Sequence, residues 1–292
     1  NLCVSRGKED EQQNQPEVAP AQQRKQLIDM QGRLLKEVAN YDLAQCIANL
    51  DNYTQVPATH DEKTWAVQPN CVAAVCAARI SQFANLDGFK NDQASSNLVI
   101  EQKCIEKLLR NLDCQHEDVK QASAVALDQL IRPDFPVRFN LIDREETLSC
   151  LKSKLKHENE GMRFTIASIL HSYYITSKHA RERVLHFKNG KLVHDLIKIT
   201  TKYDKLGYVN RHLLNLRDLA VKQNGALIRA NLEVLKQHGV LQLLDDIKSL
   251  ISKKIVRGET KLNQLGVIKF ITESITLFRS ELTEVRLERN SV

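Results

Sequence analysis

Three leucines set the frame. Leu127, Leu170 and Leu213 stand 43 residues apart, and 43 again. A second series keeps almost the same step: Ile105 to Leu148 is 43 and Leu148 to Leu192 is 44. From Leu192 to Val240 it widens to 48. Self-similarity with a period in the low forties is the mark of stacked helical units, each burying its apolar face against the next. A chain with this pattern can exceed the length of an ordinary domain without splitting, because each unit touches only its neighbours.

The local patterning agrees. In Glu117–Ile131, Val119, Ala122, Ala126 and Leu130 recur at intervals of three to four, which predicts an amphipathic helix; its alanines let a neighbouring backbone approach. Similar long helices are expected at Gly161–Tyr174, Leu206–Ala220 and Lys261–Phe278. Each follows a shorter apolar run and a polar break, such as Lys156–Glu160 or Lys202–Lys205. Upstream, Cys71, Val72, Val75, Cys76, Ile80 and Phe83 mark another helix, and Pro69 suits its first turn. Residues 1–20 read as a polar leader, 21–94 as N-terminal helices capping a solenoid, 95–280 as about four repeats and 281–292 as a charged tail. Glycine (10) and proline (6) are too scarce for the frequent turns of an all-β fold, so the fold class is all-α.

Charge is uneven. Residues 1–100 carry 9 Lys/Arg against 12 Asp/Glu, and the remainder 33 against 24, so the repeats are basic. That admits an acidic partner, although interleaved charges also describe a solvated helical surface. Seven cysteines, none in a C-x-x-C pair, fit a reducing compartment. No run of eighteen apolar residues suggests a membrane span. A cytoplasmic location is expected. Because the first residue is Asn1, an organelle such as the mitochondrion, after removal of a targeting peptide, is the alternative.

The wording of the units resembles the armadillo-repeat family. Asn231–Leu244 (N-L-E-V-L-K-Q-H-G-V-L-Q-L-L) and Val184–Ile197 (V-L-H-F-K-N-G-K-L-V-H-D-L-I) look like its first helix, glycine bend and second helix. His116–Ile131 looks like its polar break and third helix, and Leu213-Leu214-Asn215-Leu216 carries the third-helix asparagine. The glycine suits a bend that needs positive φ; Lys103 takes its place in the first unit. The resemblance implies a right-handed α-solenoid whose third helices line a concave face. It places Gln121, Val125, Gln129, Phe164, Ser168, Ser172, Arg211 and Asn215 on that face as partner-binding positions. Val125, Ser168 and Arg211 stand where an importin-alpha type groove has tryptophan, which argues against a nuclear-import-signal receptor.

No G-x-G-x-x-G, P-loop, G-x-S-x-G or H-E-x-x-H occurs, so neither catalysis nor a cofactor or metal is expected. His179 and Glu182 form an isolated H-x-x-E that reads as a solvated helix start. Asp245-Asp246 and Glu145-Glu146 point about 100° apart on a helix and make poor acid–base pairs. Arg163, Arg211, Arg217, Lys222 and Arg229 could line the inner face, but no aromatic platform interleaves them for stacking nucleic-acid bases. The expected function is a protein-binding scaffold, adaptor or assembly subunit that takes an acidic or extended segment of a protein partner. The alternatives are a nucleotide-exchange factor for a heat-shock chaperone and a nucleic-acid-binding repeat protein.

Overall fold

A computed structural model describes residues 36–55, 71–86, 92–131, 142–221, 227–258 and 264–287. The expected leader, the start of the first helix, Pro57, Trp65, Pro69, Gly88, Pro133, Pro136, Leu141, Lys222 and the end of the tail lie outside them. The described residues form helices: α1 (Leu43–Ala48), α2 (Val72–Ala84), α3 (Gln93–Glu101), α4 (Cys104–Asn111), α5 (Glu117–Leu130), α6 (Glu145–Lys154), α7 (Glu160–Tyr174), α8 (Lys178–His186), α9 (Lys191–Thr200), α10 (Leu206–Asp218), α11 (Arg229–Gln237), α12 (Val240–Val256) and α13 (Leu265–Leu287). The only extended pairings among them are two isolated bridges, Gln55 with Cys71 and Val221 with Leu227. The chain is an all-α solenoid.

The long helices form a ladder, with α2 on α5, α5 on α7, α7 on α10 and α10 on α13. Leu127, Leu170 and Leu213 are all buried in its core. Each contributes roughly 1.5–3 kcal/mol by leaving water, which is why the period survives in the sequence. Among the described residues of the expected N-terminal cap, α2 forms the first rung of this ladder. The last unit departs most from expectation. Its second helix, α12, runs on to Val256. Its third, α13, begins at Leu265 and continues past Arg279 as one helix, so the expected tail is at first the end of that rung.

The bends follow the φ argument. Gly190 (φ 78°) and Gly239 (φ 92°) both adopt the left-handed conformation just before α9 and α12. A Cβ on Gly190 would stand 2.0 Å from Nε2 of His238, so a side chain there would also have to displace that imidazole. Lys103 holds the same left-handed shape (φ 52°) at the start of α4 without being glycine. Arg144, before α6, is extended instead (φ −64°, ψ 141°), so the second unit turns differently.

Polar links tie successive units. Arg163 on α7 donates from Nη1 to the backbone oxygens of His157 (2.8 Å) and Glu158 (2.7 Å), and from Nη2 to that of Lys202 (3.0 Å). Glu160 accepts from the backbone N–H of Lys205 at 3.0 Å. Tyr174 donates its hydroxyl to the backbone oxygen of Asn215, and His171 Nε2 lies 2.9 Å from Asp218 Oδ2. Lys152 and Asp195 pair at 2.6 Å between α6 and α9. Arg217 grips Glu281 through Nε at 3.0 and 2.9 Å and through Nη2, joining α10 to α13.

Candidate concave-face site

The third helices α5, α7 and α10 each bury one stripe and leave another uncovered. The uncovered stripe holds most of the expected positions. Val125 is 43% exposed, and Gln121 and Gln129 are half-buried beside it. Gln121 Nε2 donates to Glu117 at 3.1 Å, while Oε1 of Gln129 is buried without a hydrogen-bond partner. Phe164, Ser168 and Ser172 are half-buried on α7, and Arg211 is exposed on α10.

Asn215 is the exception. It is 3% exposed, so its amide cannot reach a partner, and its backbone oxygen receives the Tyr174 hydroxyl. The asparagine at this ladder position is internal, and the outward role assigned from the sequence does not hold for it.

Gln121 and Val125 open onto a pocket of about 330 Å³ that spans three rungs. α5 contributes Gln121, Ala124 and Val125, the start of α7 contributes Gly161, Met162 and Thr165, and Lys205 and Tyr208 belong to the start of α10. Asn159 closes the remaining wall while its Oδ1 caps α7 by accepting from Met162 N–H at 3.0 Å. Phe164 does not line the pocket but fixes its edge. Its ring stacks on Tyr208 with centroids 4.1 Å apart and planes 12° apart, and meets Tyr203 edge-on at 6.1 Å. The Lys205 ammonium lies 5.1 Å from the Tyr208 ring centroid. Such stacked and cation–π contacts hold side chains in place at modest entropic cost.

Lys205, Tyr208, Thr165 and Asn159 escaped the sequence reading. The available signal was the polar break before each third helix, which read as a spacer although it delivers residues to the mouth of the groove. The inner-face basic residues divide. Arg163 and Arg217 are consumed by the links between units, and Arg229 is also engaged. Arg211 and Lys205 remain presented on the surface.

The other marked residues have local partners. His179 Nε2 lies 3.3 Å from Asp143, Glu182 pairs with Lys178 and Asp245 pairs with Arg279. Among the described residues, no three His, Cys, Asp or Glu side chains gather as a metal site. None of the described helices is long and apolar enough to cross a membrane. Beneath the groove, His212 is buried, with Nε2 2.8 Å from the Leu196 carbonyl and its ring 5.6 Å from that of Tyr203. Burial, aided by the nearby His171, holds its pKa down to about 4, so it is neutral at physiological pH.

No family model matches the chain, and no curated protein is significantly similar to it. Solved structures are similar in fold. The ARO (armadillo repeats only) protein from Plasmodium falciparum superposes with a TM-score of 0.64 at 17% identity, over 88% of this chain and 98% of that one. A designed armadillo repeat protein in complex with the peptide (KR)4 matches at a TM-score of 0.54 and 14% identity, over 90% of this chain and 95% of that one. Computationally designed armadillo repeat proteins for modular peptide recognition match at 0.54 and 14% identity, over 86% of each chain. The chain has the armadillo-like helical-repeat fold.

Proposed function

We propose that this chain is a protein-binding scaffold that holds an extended segment of a partner along the concave face of α5, α7 and α10. The observation behind this reading is the pocket that joins three successive rungs at Gln121, Val125, Thr165, Lys205 and Tyr208. An extended segment crossing the rungs would place a side chain in that pocket while its backbone met Gln121 and Ser168. Amide side chains such as Gln121 can donate to and accept from a peptide backbone. Lys205 and Arg211 favour an acidic residue on either side of the inserted one. Designed repeat proteins of the same fold, made for modular peptide recognition, support a peptide-binding reading.

The test is affinity capture followed by mass spectrometry, comparing the parent chain with the triple variant Val125→Asp, Tyr208→Ala, Arg211→Glu. All three positions are at least partly exposed, so the fold should survive, and circular dichroism checks that it does. The variant should lose the partners that the parent captures. Identical capture sets would remove the concave-face assignment.

A further inference from the structure

A second cavity lies along α4. Its volume is about 650 Å³, and it is lined by Gln102, Lys103, Glu106, Lys107, Arg110 and Arg144. That size is within the range of small-ligand pockets. Four of the six lining residues are cations and one is an acid. Lys103, Glu106, Lys107 and Arg110 share one face of α4, at helical spacings of three and four, while Cys104, Ile105, Leu108 and Asn111 are buried on the other. Arg144 reaches the same cavity from the start of α6 in the next unit.

The local counter-charges do not neutralise this group. Arg144 meets Glu106 only at 3.9 Å, with the two side chains 58% and 35% exposed. Arg110 meets Asp51 at 3.5 Å, and both are largely exposed. Lys107 donates to the backbone oxygen of Ile47 at 2.9 Å, a neutral acceptor. Exposed pairs this long contribute little, so they yield readily to a better anion.

The backbone of Lys103 bears on the cavity as well. Lys103 holds the left-handed conformation at φ 52°, as Lys188 (φ 50°) and Asn189 (φ 57°) do before Gly190, whereas the bend residues Gly190 and Gly239 are glycines. An L-residue pays for that conformation where glycine would not. Residues held in costly conformations cluster at binding sites, and this one lines the cationic cavity.

We propose that this cavity binds a compact polyphosphate anion, of the class of a multiply phosphorylated ring or headgroup. Several phosphates within one small ligand would engage Lys103, Arg110 and Arg144 together, with the arginines able to offer paired N–H donors. The site shares no lining residue with the groove proposed for the protein partner.

Calorimetry of the full chain with inositol hexakisphosphate as probe tests the proposal. Saturable binding is expected, weakened by about tenfold or more in Lys103→Gly, Arg110→Gln, Arg144→Gln, through loss of several charge-assisted contacts. The single Lys103→Gly variant should bind more weakly yet melt at a higher temperature, a combination that mere damage to the fold would not produce. Arg211→Gln, on the concave face, should bind as the parent does. A second arm uses phosphatidylcholine vesicles with and without phosphatidylinositol bisphosphate. Co-sedimentation that depends on the same three residues assigns the site to a lipid headgroup; binding of the soluble probe alone assigns it to a free polyphosphate. The proposal is overturned if the parent chain does not bind the probe, if the triple variant binds it equally well, or if Arg211→Gln is the variant that abolishes binding.

Discussion

Where α2 meets α5, the buried side chains are small: Cys71, Ala73 and Ala74 close on Val119, with Ala122 and Cys114 at the margin. Where α10 meets α13, the last helix brings Ile271, Ile275, Phe278 and Leu282 to the core, and a charged clasp, Arg217 on Glu281, spans the joint. The first joint includes a cluster of small side chains that suits close backbone approach. The second depends on bulk and on a directed ion pair. One repeat architecture can therefore be held together by materials with opposite sensitivities, volume at one end and charge at the other.

That contrast can be broken first by volume. Ala74→Leu should destabilise the protein by about 3 kcal/mol, because added methylenes in a close-packed joint force neighbours off their rotamers. Thermal melting reads the loss, and hydrogen exchange should place it in α2 and α5. If Ala74→Leu were neutral, the first joint would not be limited by volume.

Charge should break the second joint. Arg217→Met leaves a largely buried carboxylate without its partner and should cost about 2 kcal/mol, a value reduced for the partial exposure of the arginine. Adding Glu281→Leu should restore most of that loss. A double-mutant cycle in chemical denaturation measures the coupling, and simple additivity of the two changes would sink the clasp.

Acid should sharpen the comparison further. His212 is neutral in the folded protein, with its pKa lowered to about 4 from an ordinary 6.5. A depressed histidine pKa means that the unfolded chain binds more protons below pH 6.5, so stability falls as the pH drops from there towards 4. Going from pH 7.5 to 5.5 should cost about 1.3 kcal/mol through this group, and His212→Gln should flatten that part of the profile. The expected loss of exchange protection is in α9 and α10, with α2 and α5 unaffected. Equal loss at both joints would erase the distinction.

The smallest effects concern the bends. Gly239→Ala should cost about 1 kcal/mol through its positive φ, while Lys103→Gly should stabilise the fold by about 0.5–1 kcal/mol. Melting temperatures should move in opposite directions.

The rungs were legible in the sequence because burial repeats with them. Leu127, Leu170 and Leu213 are core residues, and selecting for core leaves an apolar period. α2 was recognised as a helix but not as a rung, because its buried face is rich in small residues such as Ala73, Ala74 and Ala77 and lacks the leucine that marks the later rungs. The last unit was misjudged in length for a related reason, since α12 runs to 17 residues and delays α13. Within the candidate site, Gln121 and Val125 were found because the repeat register carries exposure as well as burial. Asn215 was misplaced because side-chain type alone does not say whether an amide faces a partner or the interior. Arg217 and Glu281, 64 residues apart, could not be paired from spacing, since long-range ion pairs leave no local pattern.

The triple donation of Arg163 has a mechanical consequence. A solenoid's compliance is the sum of the compliances of its joints, so one guanidinium gripping carbonyls on both sides of the α7–α10 boundary stiffens that joint against twisting. Bending is then unevenly distributed along the array. The stiffened joint lies at the start of α7 and α10, where the groove opens, so its jaws are the part of the array best held parallel, as in a vice.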